Sequence, residues 1–273
     1  MRLFETRPGD DGLPGPERLL AVLALVTGTL MAVVDTTMIN LALPTIAADL
    51  NVPASRAVWI TNLFQVVCAA FLLVFAGISE LITRRRLYLF GLGTFVVAAL
   101  GAALSRNLET LLVFRAFQGL GAAATLSIGP SLYRAIFPSR LLGSALGLSA
   151  LVVAGGYAAG PTLSGVILSF VDWPWLFALN VPLGVCSLWL ASRALPRDTP
   201  RQGSFDTLGA LYSMLMLASF FVAMDAVGHA APIWQSGGWA MLAVAACTLF
   251  IRRQQRAPYP LLPLSVFAEK RFT

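Results

Sequence analysis

Uninterrupted apolar runs constrain this chain more than any motif, because only runs of roughly 20 residues can cross a hydrocarbon core about 30 Å thick. Eight such runs are read, at Leu19–Leu43, Val58–Leu81, Leu87–Leu104, Leu108–Pro130, Ser144–Val171, Trp175–Ala194, Thr207–Val227 and Pro232–Ile251. In lipid a backbone must satisfy its hydrogen bonds within the segment, and nothing here alternates with the period of a membrane strand. Each run is therefore expected to be a helix, and the expected fold class is all-α, a polytopic membrane helical bundle. A soluble domain of 273 residues would carry far more than 12% charged residues beside 58% hydrophobic ones.

Basic residues orient these spans. With the N-terminus cytoplasmic, one side holds Arg2, Arg7, Arg18, Arg84, Arg85, Arg86, Arg134, Arg140, Arg193, Arg197, Arg201, Arg252, Arg253, Arg256, Lys270 and Arg271. The other side holds only Arg56 and Arg106, and Arg115 lies within a span. Dropping or adding a span would reverse every later loop, so the asymmetry supports all eight together. It predicts a multi-pass protein of the cytoplasmic (inner) membrane, with lipid as its main partner. The net charge of +6 is then a topology signal and calls for no nucleic acid.

Between and beyond the spans the composition changes. Residues 1–18, with Pro8, Gly9, Gly12, Pro14, Gly15 and Pro16, are expected to form a disordered cytoplasmic tail. Residues 19–194 form a six-helix bundle, 195–206 a proline-containing polar linker, 207–251 two accessory helices, and 252–273 a basic cytoplasmic segment. Cys68, Cys186 and Cys247 each stand alone in an apolar run and read as buried structural thiols. With His229 the only histidine, no metal site, cofactor or enzymatic constellation is expected. Asp225, close to the outer end of the seventh span, reads as a headgroup-level residue.

Ionisable groups inside a membrane cost at least a few kcal/mol and so mark functional sites. Asp35 precedes Pro44, taken as the end of the first span, by nine residues, and Arg115 follows Arg106 by nine, so each lies about 13 Å below the outer surface. The matched depths allow an ion pair facing a common polar cavity. Two readings stay open: a site that binds and releases a proton, or a permanently ionised pair that locks two helices. Asn40, Asn62, Gln65, Gln118 and Tyr157 are the polar side chains expected on the cavity wall, as interhelical hydrogen-bonding groups or substrate contacts. Small residues on the fifth span, Gly155, Gly156, Gly160, Ser164 and Gly165, allow close helix approach, and Pro161 permits a bend.

These motifs together resemble the larger drug:proton antiporter branch of the major facilitator superfamily. Asp35 to Pro44 (DTTMINLALP) resembles its first-span motif, Arg115 to Gly121 (RAFQGLG) its fourth-span arginine motif, and Gly156 to Gly165 (GYAAGPTLSG) its fifth-span antiporter motif, with Ser164 replacing a glycine. Trp173 to Gly184 (WPWLFALNVPLG) is similar to the approach to its sixth span, with Pro174 where the family has arginine. Phe205-Asp206 and Pro263-Leu264 look like the approaches to spans seven and nine. The resemblance implies proton-coupled export of small, lipophilic compounds by alternating access, with Asp35 and Arg115 in proton coupling. It assigns Gly156, Gly160, Pro161 and Gly165 to closure against an opposite half. It also implies a fourteen-span architecture, in which the seventh and eighth spans are the accessory pair.

In the loop between the second and third spans the family has glycine, an acid and a second glycine before a basic run that forms a cytoplasmic gate. Glu80, Arg84, Arg85 and Arg86 keep the acid and the basic run, but Thr83 occupies the glycine turn position. Alternating access needs two bundles, and this chain shows one with two further helices, so a C-terminal half or a second copy is the expected partner, besides substrate and proton. A fragment of a longer product, a natural half and an inactive truncation are all compatible with the sequence. So is a non-transporting membrane partner that retains the half-fold.

Overall fold

The computed structural model describes residues 4–7, 9–200, 204–229, 231–257 and 261, with Glu80 through its backbone alone. The helices are α1 (Gly15–Asp49), α2 (Ala54–Ala57), α3 (Trp59–Ile82), α4 (Arg84–Ala103), α5 (Leu108–Ile136), α6 (Leu142–Phe170), α7 (Pro174–Ala178), α8 (Asn180–Ala194), α9 (Thr207–Gly228) and α10 (Ile233–Arg256). Joining the short α2 to α3 and α7 to α8 leaves eight helical stretches, among the described residues, that are long and apolar enough to span a membrane. The all-α fold class holds.

Several helices extend beyond the expected spans, two of them past a proline. α1 runs through Pro44 to Asp49, and α5 runs through Pro130 to Ile136. A proline removes one i to i−4 bond, and both helices continue past that loss. Asn107 caps α5 by accepting from the Thr110 amide at 2.9 Å. Asp206 caps α9 by accepting from Gly209 at 3.1 Å and also receives Arg253 of α10 at 2.9 Å, which ties the accessory pair together where the linker ends.

Packing follows side-chain size. α1 lies against α6 and α8, α4 against α5 and α8, and α3 bridges α5 and α9. At the arginine-rich end Leu25, Leu92, Phe95, Tyr133 and Phe137 form one core; at the other end Ile39, Ile60, Leu111, Trp173 and Phe177 form a second. Of the apolar window on α6 only 11% is buried, against 56% on α1, so α6 touches the bundle along one narrow stripe. That stripe is made of small residues.

The N-terminal segment is not the free tail that its composition suggested. Leu13 donates its amide to the Ile136 carbonyl at 3.0 Å, Asp11 accepts from the Ser139 amide and hydroxyl at 2.9 and 2.6 Å, and Asp10 takes both Nε and Nη2 of Arg140 at 2.8 Å. Arg18, fully buried, donates to the Leu13 carbonyl from two nitrogens. The Arg140 hydrogen bonds hold the Asp10 carboxyl at about 2, below its ordinary value of 3.8. Specific acid–base pairing with the turn at Ser139–Leu141 supplies what an apolar core does not.

Candidate functional site

Asp35 on α1 and Arg115 on α5 are both fully buried, and Arg115 Nη1 donates to Asp35 Oδ2 at 2.6 Å. Burial this complete is costly for each lone pair and proton that finds no partner. Asp35 Oδ1 accepts from Asn180 Nδ2 on α8 at 2.7 Å. Arg115 Nε donates to the Ile60 carbonyl on α3 at 2.9 Å, and Nη1 also reaches Gln118 Oε1 at 2.9 Å. The guanidinium stacks above Phe64 at 4.4 Å from the ring centre, with Phe177 at 5.8 Å. One ion pair thus joins α1, α3, α5 and α8. Arg115 Nη2 and Gln118 Nε2 keep hydrogen-bonding capacity with no partner among the described residues.

The cavity lies beside the pair. A hollow of about 390 Å³ is walled by Thr36 and Asn40 of α1, Phe64, Gln65 and Leu72 of α3, Tyr157 of α6 and Phe221 of α9, among others. Asn40, Gln65 and Tyr157 line this hollow. Asp35, Arg115 and Gln118 do not line this hollow; the pair is held inside the bundle by Asn180 of α8 and the Ile60 carbonyl of α3. Phe64 is the partition, lining the cavity and carrying Arg115 on its ring.

Asn62 is not on this wall either. It donates to Asp225 of α9 and lines a second hollow of about 250 Å³ with Trp59, Gln65 and Met224. Asp225 also lies 3.3 Å from the His229 ring, so its surroundings are an amide and an imidazole of the bundle. Cys68 is buried on the main cavity wall and Cys247 is half-buried, but Cys186 is exposed, contrary to the reading of three buried thiols. Among the described residues no group of His, Cys, Asp and Glu has the makings of a metal site.

The fifth-span motif divides between two faces. Gly156, Gly160 and Ser164, spaced by four, press on α1: a Cβ at Gly160 would lie 1.7 Å from Thr37 Oγ1 and one at Gly156 2.9 Å from Val33 Cγ1. Ser164, where the family pattern has glycine, is fully buried and donates to the Met38 carbonyl at 2.9 Å, so its hydroxyl is satisfied at the same contact. Gly155 and Gly165 face open space, and Pro161 sits within an unbroken helix.

At the basic loop, Thr83 has φ of 94°, a conformation that glycine adopts freely and a β-branched residue does not. It is held there by burial and by accepting from the Arg86 amide at 3.3 Å, which caps α4. Arg84 binds Asp198 of the linker through its amide at 3.0 Å and its Nε at 3.2 Å, and Arg85 donates to the Ser192 carbonyl. The side chain of Glu80 lies outside the described residues, as do Pro263, Leu264, Lys270 and Arg271.

Asn180, absent from the polar residues drawn from the sequence, completes the site. The signal was an amide placed between Leu179 and Val181 in an apolar run, within a stretch taken as a family marker and not weighed for its chemistry.

An apolar eight-span bundle, with a buried charge pair behind the wall of an open hollow, has the architecture of a polytopic membrane transporter domain. The chain belongs to the Major Facilitator Superfamily, whose pattern it matches over residues 25–269. It is 38% identical over 258 residues to the uncharacterized transporter YebQ of Escherichia coli K12, covering 94% of this chain and 56% of that protein. It is 31% identical to the tetracenomycin C resistance and export protein of Streptomyces glaucescens, covering 94% and 47%, and 30% identical to the lincomycin resistance protein of Streptomyces lincolnensis, covering 98% and 56%. The chain spans about half the length of these curated relatives. Its fold is similar to that of the proton:xylose symporter XylE, with a TM-score of 0.57 and 13% identity over 93% of this chain and 56% of that one.

Proposed function

We propose that this chain is the N-terminal portion of a proton-coupled exporter of small lipophilic compounds, of the fourteen-span drug:proton antiporter branch. The observation that carries this reading is the fully buried Asp35–Arg115 pair set one aromatic ring behind a largely apolar cavity. A buried carboxylate changes its charge only at the expense of its partners, so proton uptake at Asp35 would loosen the contacts among α1, α5 and α8. Phe64 gives a substrate in the cavity direct contact with the same network. Asn40, Gln65 and Tyr157 are the proposed polar substrate contacts.

Export as the direction is supported by resistance and export proteins among the relatives. The arginine distribution supports an inner-membrane protein with a cytoplasmic N-terminus. In this reading α9 and α10 are the accessory pair, Arg84 and Arg85 with their linker contacts belong to the cytoplasmic gate, and a second bundle supplies the opposite cavity wall. That bundle comes from the remainder of a longer product or from another copy.

The test is uptake of a fluorescent lipophilic dye into everted membrane vesicles that hold the complete gene product and an imposed proton gradient. Asp35→Asn is expected to abolish gradient-driven uptake while leaving membrane insertion intact. Undiminished uptake in that variant would overturn the role of Asp35.

A further inference from the structure

The mouth of α4 holds a hollow of about 360 Å³ beside the proposed gate, lined by Thr83, Arg85, Arg86, Leu89, Arg197 and Asp198 with Pro200. It contains three guanidinium groups and one carboxylate. Asp198 Oδ2 takes both the amide and the Nε of Arg84, while Asp198 Oδ1 has no hydrogen-bond partner among the described residues. Arg85 spends one nitrogen on the Ser192 carbonyl and keeps a buried Nε with no partner, while Arg86 and Arg197 are exposed and have no ion-pair partner among the described residues. Three like charges thus converge on one concavity, at the positive end of a 20-residue helix.

We propose that this hollow binds a phosphate group, supplied by an anionic phospholipid headgroup or by free phosphate. Phosphate oxygens match the forked donors of arginine, and the convergence of three guanidiniums is unfavourable until an anion neutralises it. Basic pockets between helices at a membrane face bind such headgroups. Leu89, one turn deeper on α4, offers an apolar wall on the side from which acyl chains would leave. On α8, Arg193 lies 4.4 Å from the Trp189 ring centre, an aromatic anchor of the kind that sits at headgroup level. A bound phosphate would bridge the start of α4 to the linker at Arg197 and so hold the loop at Thr83 against α8. This proposal stands independently of the transported substrate.

The experiment is thermal unfolding of the purified full chain in nanodiscs, in three arms: phosphatidylcholine alone, phosphatidylcholine with phosphatidylglycerol, and phosphatidylcholine with millimolar inorganic phosphate. The wild type is expected to be stabilised by phosphatidylglycerol, and titration should show the half-effect shifted roughly 30-fold in Arg86→Gln/Arg197→Gln, from the usual contribution of two basic side chains near a charged surface. Both positions are exposed, so the variant keeps its core; Arg252→Gln/Arg256→Gln, equally exposed at the end of α10, is the charge-matched control. A response lost only in the first variant supports the site, and the arm that responds identifies the source of the phosphate. An equal response in the first variant and the wild type, or an equal loss in the control, overturns it.

Discussion

The pair at Asp35 and Arg115 should behave as one energetic unit, and a double-mutant cycle measures whether it does. Removing one partner of a buried ion pair costs about 3–5 kcal/mol, because the other charge stays desolvated and uncompensated. The two single variants should not be equal. In Asp35→Asn the guanidinium keeps the Ile60 carbonyl, the Gln118 oxygen and the Phe64 ring. These retained contacts should keep the loss near the bottom of that range, about 3 kcal/mol. Arg115→Gln leaves the carboxylate with Asn180 alone, so the loss should stand near the top of the range, about 4–5 kcal/mol. The double variant removes both charges and should cost no more than the worse single change, giving a coupling energy of about 2 kcal/mol or more. Unfolding by sodium dodecyl sulfate in maltoside micelles, followed by far-ultraviolet circular dichroism, reads all four species. A coupling below about 0.5 kcal/mol, the level expected of independent sites, would refute the account.

Three further predictions come from other parts of the bundle. Gly160→Ala puts a Cβ 2.6 Å from the Thr37 Cβ and should cost about 1–3 kcal/mol in the same assay, whereas Gly165→Ala, with nothing within 4 Å, should stay within about 0.5 kcal/mol. Thr83→Gly removes a side chain from φ of 94°; strain of about 1–3 kcal/mol is relieved against a few tenths for the lost cap, so the melting temperature should rise. Because the Asp10 carboxyl is held at about 2, below its ordinary value of 3.8, its contribution to docking the N-terminal segment is complete above about pH 4 and is lost as pH falls towards 2. A fluorophore at position 5 should report release over that window, and Asp10→Asn should release the segment at neutral pH; release by pH 5 in the wild type would contradict this.

Some of the site was legible because its physics is local to the chain. Apolar runs fix spans with no knowledge of packing, and an aspartate or arginine inside one is conspicuous because of its cost. Matched depth brought Asp35 and Arg115 to the same level of the bundle. Facing direction was not legible, since it depends on how α1 and α5 rotate about their axes, and that is set by partners as distant in sequence as Asn180. Gln118, expected on the cavity wall, shares the inward face of Arg115 three residues away and bonds to it, but does not line the hollow. The N-terminal segment misled for a related reason: proline and glycine content measures the capacity to build a core, and this segment is held by carboxylates aimed at Ser139 and Arg140.

Phe64 shows why the position of the pair behind the wall matters for the proposed mechanism. A carboxylate exposed in the cavity would exchange protons with cavity water whether or not a substrate were bound. Asp35 is fully buried and does not line the hollow, whereas its neighbour Thr36 and Phe64, the ring that carries Arg115, do. A ligand pressing on Phe64 would displace the face on which Arg115 rests, and an arginine that moves would break its hydrogen bond to Asp35. In the proposed mechanism, occupancy of the hollow would be linked to the Asp35–Arg115 contact through one ring, with no direct contact between ligand and acid. Phe64→Leu tests that link: it keeps an apolar wall and removes the π face, so substrate binding should persist while its dependence on Asp35 is lost. If dye binding and gradient-driven uptake in Phe64→Leu retain wild-type sensitivity to Asp35→Asn, coupling runs by another path.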